Sequence, residues 1–250
     1  MKLVPKKSPE TQPPKLEPAV WVKAVYHLHV FHYRMPETAA IAAITPFVPS
    51  PLTVKMAMVA ALLQKGEKEK AKQLAPHLPQ MEIRIVPPKA AFSFRAFMRY
   101  RSVPAVESAG GLDESGSFYP SRPHTREYAL LSDDLTVFIG LPDTSSCSLV
   151  EEALKNIRYL GCKDSQVWCR KVEKVGNAEV EGQPVITRLS EGQAGSVVLL
   201  ADFAPQSVLK LEDLIPGKRK KEHYQLPNPP YVLPGKIKTS WRTKIFFRTG

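Results

Sequence analysis

One stretch, Ser148 to Val175, constrains this chain more than any other, because a helix, a glycine turn and a strand follow one another there. Ser148 stands as an N-cap with Glu151 at N3, the reciprocal pair of a capping box. Leu149, Val150, Ala153, Leu154, Ile157 and Leu160 recur at helical spacing and define one apolar face. Glu151 and Lys155 add an i,i+4 ion pair on the opposite side. Gly161 falls where a helix ends on a left-handed residue, so the helix is predicted to stop there. The turn Gly161-Cys162-Lys163-Asp164-Ser165 then leads into a strand. An ordinary surface helix packed on a sheet accounts for this pattern. Lys163, a cation in a small polar turn at a sheet edge, is the feature that points towards a ligand.

The strand expected from Val20 to Tyr33 is the clearest in the chain. Val20, Val22, Ala24, Tyr26, Leu28 and Val30 share one face and form a core side. Trp21, Lys23, Val25, His27, His29, Phe31 and Tyr33 share the other. That second face carries the aromatics, imidazoles and cation that a base-stacking surface needs. A face covered by the C-terminal segment has the same pattern, and both readings stay open. His27 and His29 point the same way, but no Asp, Glu or Cys cluster beside them argues for a metal.

Ser50 as N-cap and Pro51 at N1 predict a helix start, and residues 52–63 are apolar almost all round, so this helix should be buried. Lys55 lies in its first turn, where it would suit a phosphate contact or else reach out to water. A charged helical tail runs from Gly66 to Leu74. Met81 to Val86 is a short strand, broken by Pro87-Pro88, and an extended pattern resumes from Ala91 to Tyr100. From there to Arg126 the chain interleaves Arg95, Arg99, Arg101, Arg122 and Arg126 with Phe92, Phe94, Phe97, Tyr100, Phe118 and Tyr119. Arginine beside aromatic residues offers phosphate forks and stacking planes together, so a thumb-like hairpin insertion that touches RNA or DNA is expected. Arg126 to Ile139 reads as two strands around Ser132-Asp133-Asp134.

The resulting order, strand, helix, strand or hairpin, strand, helix, strand, is an α+β, ferredoxin-like arrangement, the plan of RNA-recognition domains. Residues 1–18, with their prolines, form an expected flexible leader. Residues 19–176 form the main domain, with the thumb at about 92–124, and 177–250 a smaller β-rich region. In that region Val197 to Phe203 is a strand, Lys218 to Lys221 a basic run, and Tyr231 to Arg248 a hairpin closing through Pro234-Gly235.

The charge supports an anionic partner: 35 Lys and Arg against 24 Asp and Glu give +11. No apolar run is long enough for a transmembrane helix, and the basic N-terminus has no apolar signal core. Three cysteines without metal-like spacing fit a reducing cytoplasm.

Four segments carry a resemblance: PSPLTVKMAMVAAL at 49–62, HTREYALLSDDLTVFI at 124–139, EEALKNIRYLGCKDSQV at 151–167, and the arginine-rich insertion between the first two. Together, over about residues 18–176, they resemble the Cas-five family, the CRISPR-associated RAMP-type subunit of type I effector complexes. The resemblance implies a ferredoxin-like RAMP palm and a thumb hairpin. It implies binding of the 5′ handle of the crRNA, and contacts with the backbone subunit and the large subunit of Cascade near the PAM of target DNA. Carried onto this chain, the expected RNA-binding residues are Lys55, Arg95, Arg99, Tyr100, Arg101, Tyr119, Arg122, His124, Arg126 and Lys163. One branch of the family cleaves precursor crRNA without metal through a Tyr, Lys and His set. Tyr26, His27, Tyr119 and His124 are the candidates here, but no lysine pairs with a histidine at the thumb. A non-catalytic RNA-binding subunit with no cofactor is therefore the expectation, against an endoribonuclease or a stand-alone RNA-recognition protein.

Overall fold

The computed structural model describes residues 18–32, 42–43, 45–101, 121–215, 225–241 and 243–249. The leader at 1–17, Tyr119 and the basic run at 218–221 lie outside them.

Twelve strands and five α-helices make up the described chain. β1 (Val20–Leu28) is followed by β2 (Ala42–Ala43), α1 (Pro51–Gln64), α2 (Lys68–Leu74) and β3 (Glu82–Val86). β4 (Ala90–Arg101) and β5 (Ser121–Leu131) form a long hairpin, then come β6 (Leu135–Leu141), α3 (Cys147–Lys155) and β7 (Val167–Val175). α4 (Asn177–Glu181), β8 (Thr187–Arg188), β9 (Ser196–Leu199), α5 (Leu211–Leu214), β10 (Pro230–Leu233), β11 (Gly235–Ser240) and β12 (Thr243–Arg248) complete it.

The central sheet has the order β3-β6-β1-β7, with every neighbouring pair antiparallel. Two strand–helix–strand units, β1-α1-β3 and β6-α3-β7, are interleaved in it. The even face of β1 is the core side as expected, with Val22, Ala24, Tyr26 and Leu28 buried against α1 and α3. α1 begins as its sequence requires: the Ser50 hydroxyl accepts from the Thr53 amide at 3.1 Å, with Pro51 at the first helical position. Gly66 takes φ +86° and ends that helical segment before α2.

α3 departs from expectation at both ends. Its N-cap is Ser146, not Ser148, and no capping box forms. Asp143 accepts from the Ser145 amide at 2.8 Å and sets the turn two residues earlier. The helix ends at Lys155 although the apolar periodicity continues to Leu160. Beyond Asn156 the backbone pairs elsewhere: the Val167 amide donates to Arg158 O at 2.9 Å and the Leu160 amide to Ser165 O at 3.0 Å. Ile157 and Leu160 stay buried without being helical. Gly161 is left-handed, φ +87°, but it turns a loop and not the helix terminus.

The described residues beyond 176 share one core with the rest. Ile186, Leu200, Phe203, Leu211, Leu233 and Phe246 belong to the same buried cluster as β1, α1 and α3. Tyr231 to Arg248 is not one hairpin. Pro234-Gly235 carries the chain from β10, in a three-stranded sheet ordered β8-β10-β9, to β11. The hairpin turn lies between Ser240 and Thr243, and β12 pairs with β4. The C-terminal hairpin on one side and β2 on the other thus extend the β4–β5 hairpin into a five-stranded sheet, β11-β12-β4-β5-β2.

Candidate nucleic-acid interface

The β4–β5 hairpin is the first part of the candidate surface. Its register runs from Ala91 opposite Leu131 to Arg101 opposite Ser121. In a strand, successive side chains point to opposite faces. Ala91 and Ser93, near the body, are therefore buried, while Arg95 and Phe97 on the same face are exposed, Phe97 at 72%. Arg99, Tyr100, Arg101, Arg122 and His124 lie farther along the same two strands, and their side chains are outside the described part. The opposite face carries an apolar strip: Phe92 lies between Leu130 and Ile245 in register, with Phe247 one step along β12. Phe92, Leu130 and Phe247 are all exposed.

The foot of the hairpin is where the Lys163 turn meets it. Asp164 receives the Arg126 guanidinium and, at 3.1 Å, the Tyr128 hydroxyl. Tyr128 stacks on Phe94, with centroids 5.9 Å apart, and lies 5.0 Å from the His32 ring. Ser165 holds the backbone of His32 from both sides: its Oγ accepts from the His32 amide at 2.7 Å and donates to the His32 carbonyl at 2.8 Å. Glu127 is buried and accepts from the Thr45 amide at 2.8 Å and Ser93 Oγ at 2.9 Å, with Lys244 Nζ at 3.4 Å. His32 Nδ1 lies 2.7 Å from the Glu127 carbonyl oxygen. Burial lowers the imidazole's pKa, partly offset by that carbonyl. Arg126 is thus a braced residue of the foot, already engaged by a carboxylate.

On the other side of the Lys163 turn lies an open groove of about 480 Å³, lined by Gln64, Arg158, Tyr159, Lys163, Gln166 and Val167. Two of its lining residues, Arg158 and Val167, are joined by the backbone hydrogen bond that lies beyond the end of α3. Gln64 Nε2 donates to the Tyr159 hydroxyl at 3.1 Å. Sequence periodicity assigned Arg158 and Tyr159 to the helix, and so missed them as site residues. Nothing local signals that the helix stops at Lys155.

Lys55 is a correction. It is fully buried and its ammonium donates to Asp202 at 2.7 Å. α1 is covered at its first turn by residues 200–204, with the Leu52 amide bonded to Ala201 O at 3.0 Å, so Lys55 reaches neither phosphate nor water. Burial lowers its pKa, and Asp202 opposes that shift. Tyr26 is likewise inside, its hydroxyl donating to Leu154 O at 2.8 Å. Burial raises its pKa well above the usual value for a phenol.

The second face of β1 divides between the two readings it left open. Trp21 is covered, with Nε1 donating to Asn177 Oδ1 at 2.7 Å and Phe138, Val86 and Val180 around it. Around His27 and His29 the face is open: His27 Nδ1 lies 2.8 Å from Asp134, His29 makes an edge contact with His27 at 5.0 Å, and Trp168 of β7 is 72% exposed. The strand ends at Leu28 and not at Tyr33; Phe31 beyond it is fully buried, and Tyr33 lies outside the described residues. Among the described residues no group of three or more His, Cys, Asp or Glu could hold a metal, and no helix is long and apolar enough to cross a membrane.

No family model matches the chain. The CRISPR-associated protein Cas5 of Archaeoglobus fulgidus is 23% identical over 239 residues, which cover 90% of this chain and 97% of that protein. A crystal structure of a CRISPR protein from Archaeoglobus fulgidus aligns over 92% of both chains at 12% identity and a TM-score of 0.44. A chain of a CRISPR RNA-guided surveillance complex aligns over 86% of this chain and 88% of its own, at 13% identity and a TM-score of 0.45. The resemblance to the Cas5 family that the sequence motifs carry is matched by this relative along most of the chain.

Proposed function

We propose that this chain is a non-catalytic RNA-binding subunit of a type I CRISPR effector complex. In this reading its central sheet is a ferredoxin-like RAMP palm, and the β4–β5 hairpin is the thumb that holds the 5′ handle of the crRNA. The observation that carries it is the hairpin itself: two paired strands leave the core with Arg95 and Phe97 exposed, and Arg99, Arg101 and Arg122 follow beyond them. Guanidinium forks and aromatic faces in one ribbon fit a single-stranded phosphate backbone with unstacked bases. Similarity to Cas5 over most of the chain supplies the context. The backbone and large subunits of Cascade are then the protein partners, with DNA near the PAM close by, in the cytoplasm. The exposed strip of Phe92, Leu130 and Phe247 offers an apolar face for a neighbouring subunit.

A catalytic reading is favoured by one observation, the His27–Asp134 pair on an open face with His29 beside it, since a carboxylate-held imidazole is a general-base arrangement. One experiment separates the two. The purified chain is incubated with labelled repeat RNA in EDTA and scored for binding and cleavage. Binding without a cut is expected, falling with salt, and on the order of tenfold weaker when Arg99 and Arg101 are both replaced by Gln. Unchanged affinity in that variant would remove the thumb assignment. A single defined cut, lost on His27→Ala, would overturn the non-catalytic reading.

A further inference from the structure

We infer that the groove between the end of α1, the segment after α3 and the start of β7 is a second RNA site, taking one unpaired nucleotide with its flanking phosphates. The inference rests on the RNA-binding reading and extends it to residues outside the hairpin.

Charge sets the groove apart. Cations nearby are matched: Lys65 and Lys70 hold Glu152, Lys155 and Lys174 lie near Glu151, and Arg170 pairs with Asp134. Asp164, the carboxylate next to Lys163, is not in the groove lining and is engaged by Arg126 and Tyr128. Arg158 and Lys163 both line the groove, both are exposed, and neither forms an ion pair with a described carboxylate. Among the described residues, no acidic side chain lines the groove with them. Two cations at one concavity without a partner among the described carboxylates make a site for an anion, and a guanidinium beside an ammonium suits phosphate oxygens.

The remaining lining suits a base. Tyr159 offers a ring whose hydroxyl is fixed by Gln64, and Gln64 and Gln166 carry amide groups that can both donate and accept at a base edge. The groove's volume of about 480 Å³ lies within the range of about 300–1,000 Å³ usual for small-ligand sites. The frame is rigid: Arg158 O accepts from Val167, Leu160 donates to Ser165 O, and Ser165 is bonded to His32. Side chains mounted on such a braced loop are held ready for a ligand. Lys163 and Asp164 are neighbours on the turn, so one short loop joins the groove to the hairpin foot at Arg126.

The test uses the full chain and a fluorescein-labelled single-stranded RNA of mixed sequence, with affinity followed by anisotropy over a salt series. A 4-thiouridine version of the same RNA is crosslinked, and the modified peptide is identified by mass spectrometry. The Arg158→Gln/Lys163→Gln variant is expected to bind on the order of tenfold more weakly near 0.1 M salt. Its log–log salt slope should be smaller by about 1.4, the value for two lost contacts to a single strand. Arg158→Lys, which keeps the charge, should restore most of the affinity, and the crosslink should fall within residues 158–167. Both positions are exposed, and an unchanged melting temperature shows that the variants are folded. Wild-type binding with an unchanged slope in the double variant and a crosslink only in the hairpin overturns the groove while leaving the hairpin reading intact. Failure of the wild-type chain to bind this RNA or the repeat RNA overturns both.

Discussion

At the scale of single residues, Lys55 shows how far a side chain's role depends on what packs over it. Its position near the start of α1 suits a phosphate contact, but the chain returns 147 residues later to bring Asp202 to within 2.7 Å of the ammonium. A buried pair of this kind is costly to break on one side, because the remaining charge stays in a low-dielectric interior. Lys55→Ala or Asp202→Ala should each lower the unfolding free energy by about 3–5 kcal/mol in urea titrations, while RNA affinity of the folded fraction stays unchanged. Lys55→Met with Asp202→Leu should recover most of the loss. The pH dependence follows from the lowered lysine pKa. Between that value and the ordinary 10.5 the unfolded chain binds more protons, so this group makes stability rise with pH across that window. Ser50 and Pro51, by contrast, act within four residues of each other, and their capping role was legible without any tertiary information.

Among the elements, α3 was recognised by its apolar face but not by its ends. Leu154, Ile157 and Leu160 face the core whether the backbone is helical or not, so periodicity runs on past the true terminus at Lys155. What stops the helix is a competing set of backbone hydrogen bonds from residues 165–167. The helix is clamped to the end of α1 by Glu152, which bridges Lys65 at 2.7 Å and Lys70 at 2.8 Å. Hydrogen bonds from those ammonium groups, Lys65 first, hold its carboxyl down to about 2. That contribution is complete above the ordinary value of 4.5 and is lost as pH falls from there towards about 2. Glu152→Gln should therefore flatten the melting temperature's decline over that acid window and leave stability near pH 7 slightly lower. Calorimetric melts of both chains from pH 2 to 7 check this; parallel acid declines would show that Glu152 is not responsible. The β4–β5 hairpin was legible from alternation and from the arginine and aromatic content. Its pairing with β12 was not, because register between distant strands is set by side-chain packing and not by either strand's own pattern.

For the molecule as a whole, the C-terminal third closes the structure instead of sitting beside it. It supplies Asp202 to Lys55, an amide from Ile186 to Ile85 O at 2.8 Å, and β12 to the edge of β4. Phe246 stacks against Phe47 at 5.7 Å in the common core. A chain cut after Val175 should therefore fail to fold cooperatively, with poorly dispersed amide resonances and strong binding of a hydrophobic dye. A well-dispersed spectrum from that fragment would show that the chain up to Val175 folds without the C-terminal third. The sequence by itself determined the quantities that act over a few residues: the positive charge, the buried face of β1, the start of α1, the strand–helix order and the arginine-bearing hairpin. Each is written in spacing and residue type, which short-range physics reads directly. The tertiary structure alone decided that Lys55 is inside, that Arg126 is held by Asp164, and that Arg158 and Lys163 line one groove. Those outcomes depend on which distant segments pack beside each cation, and a linear pattern carries no record of that.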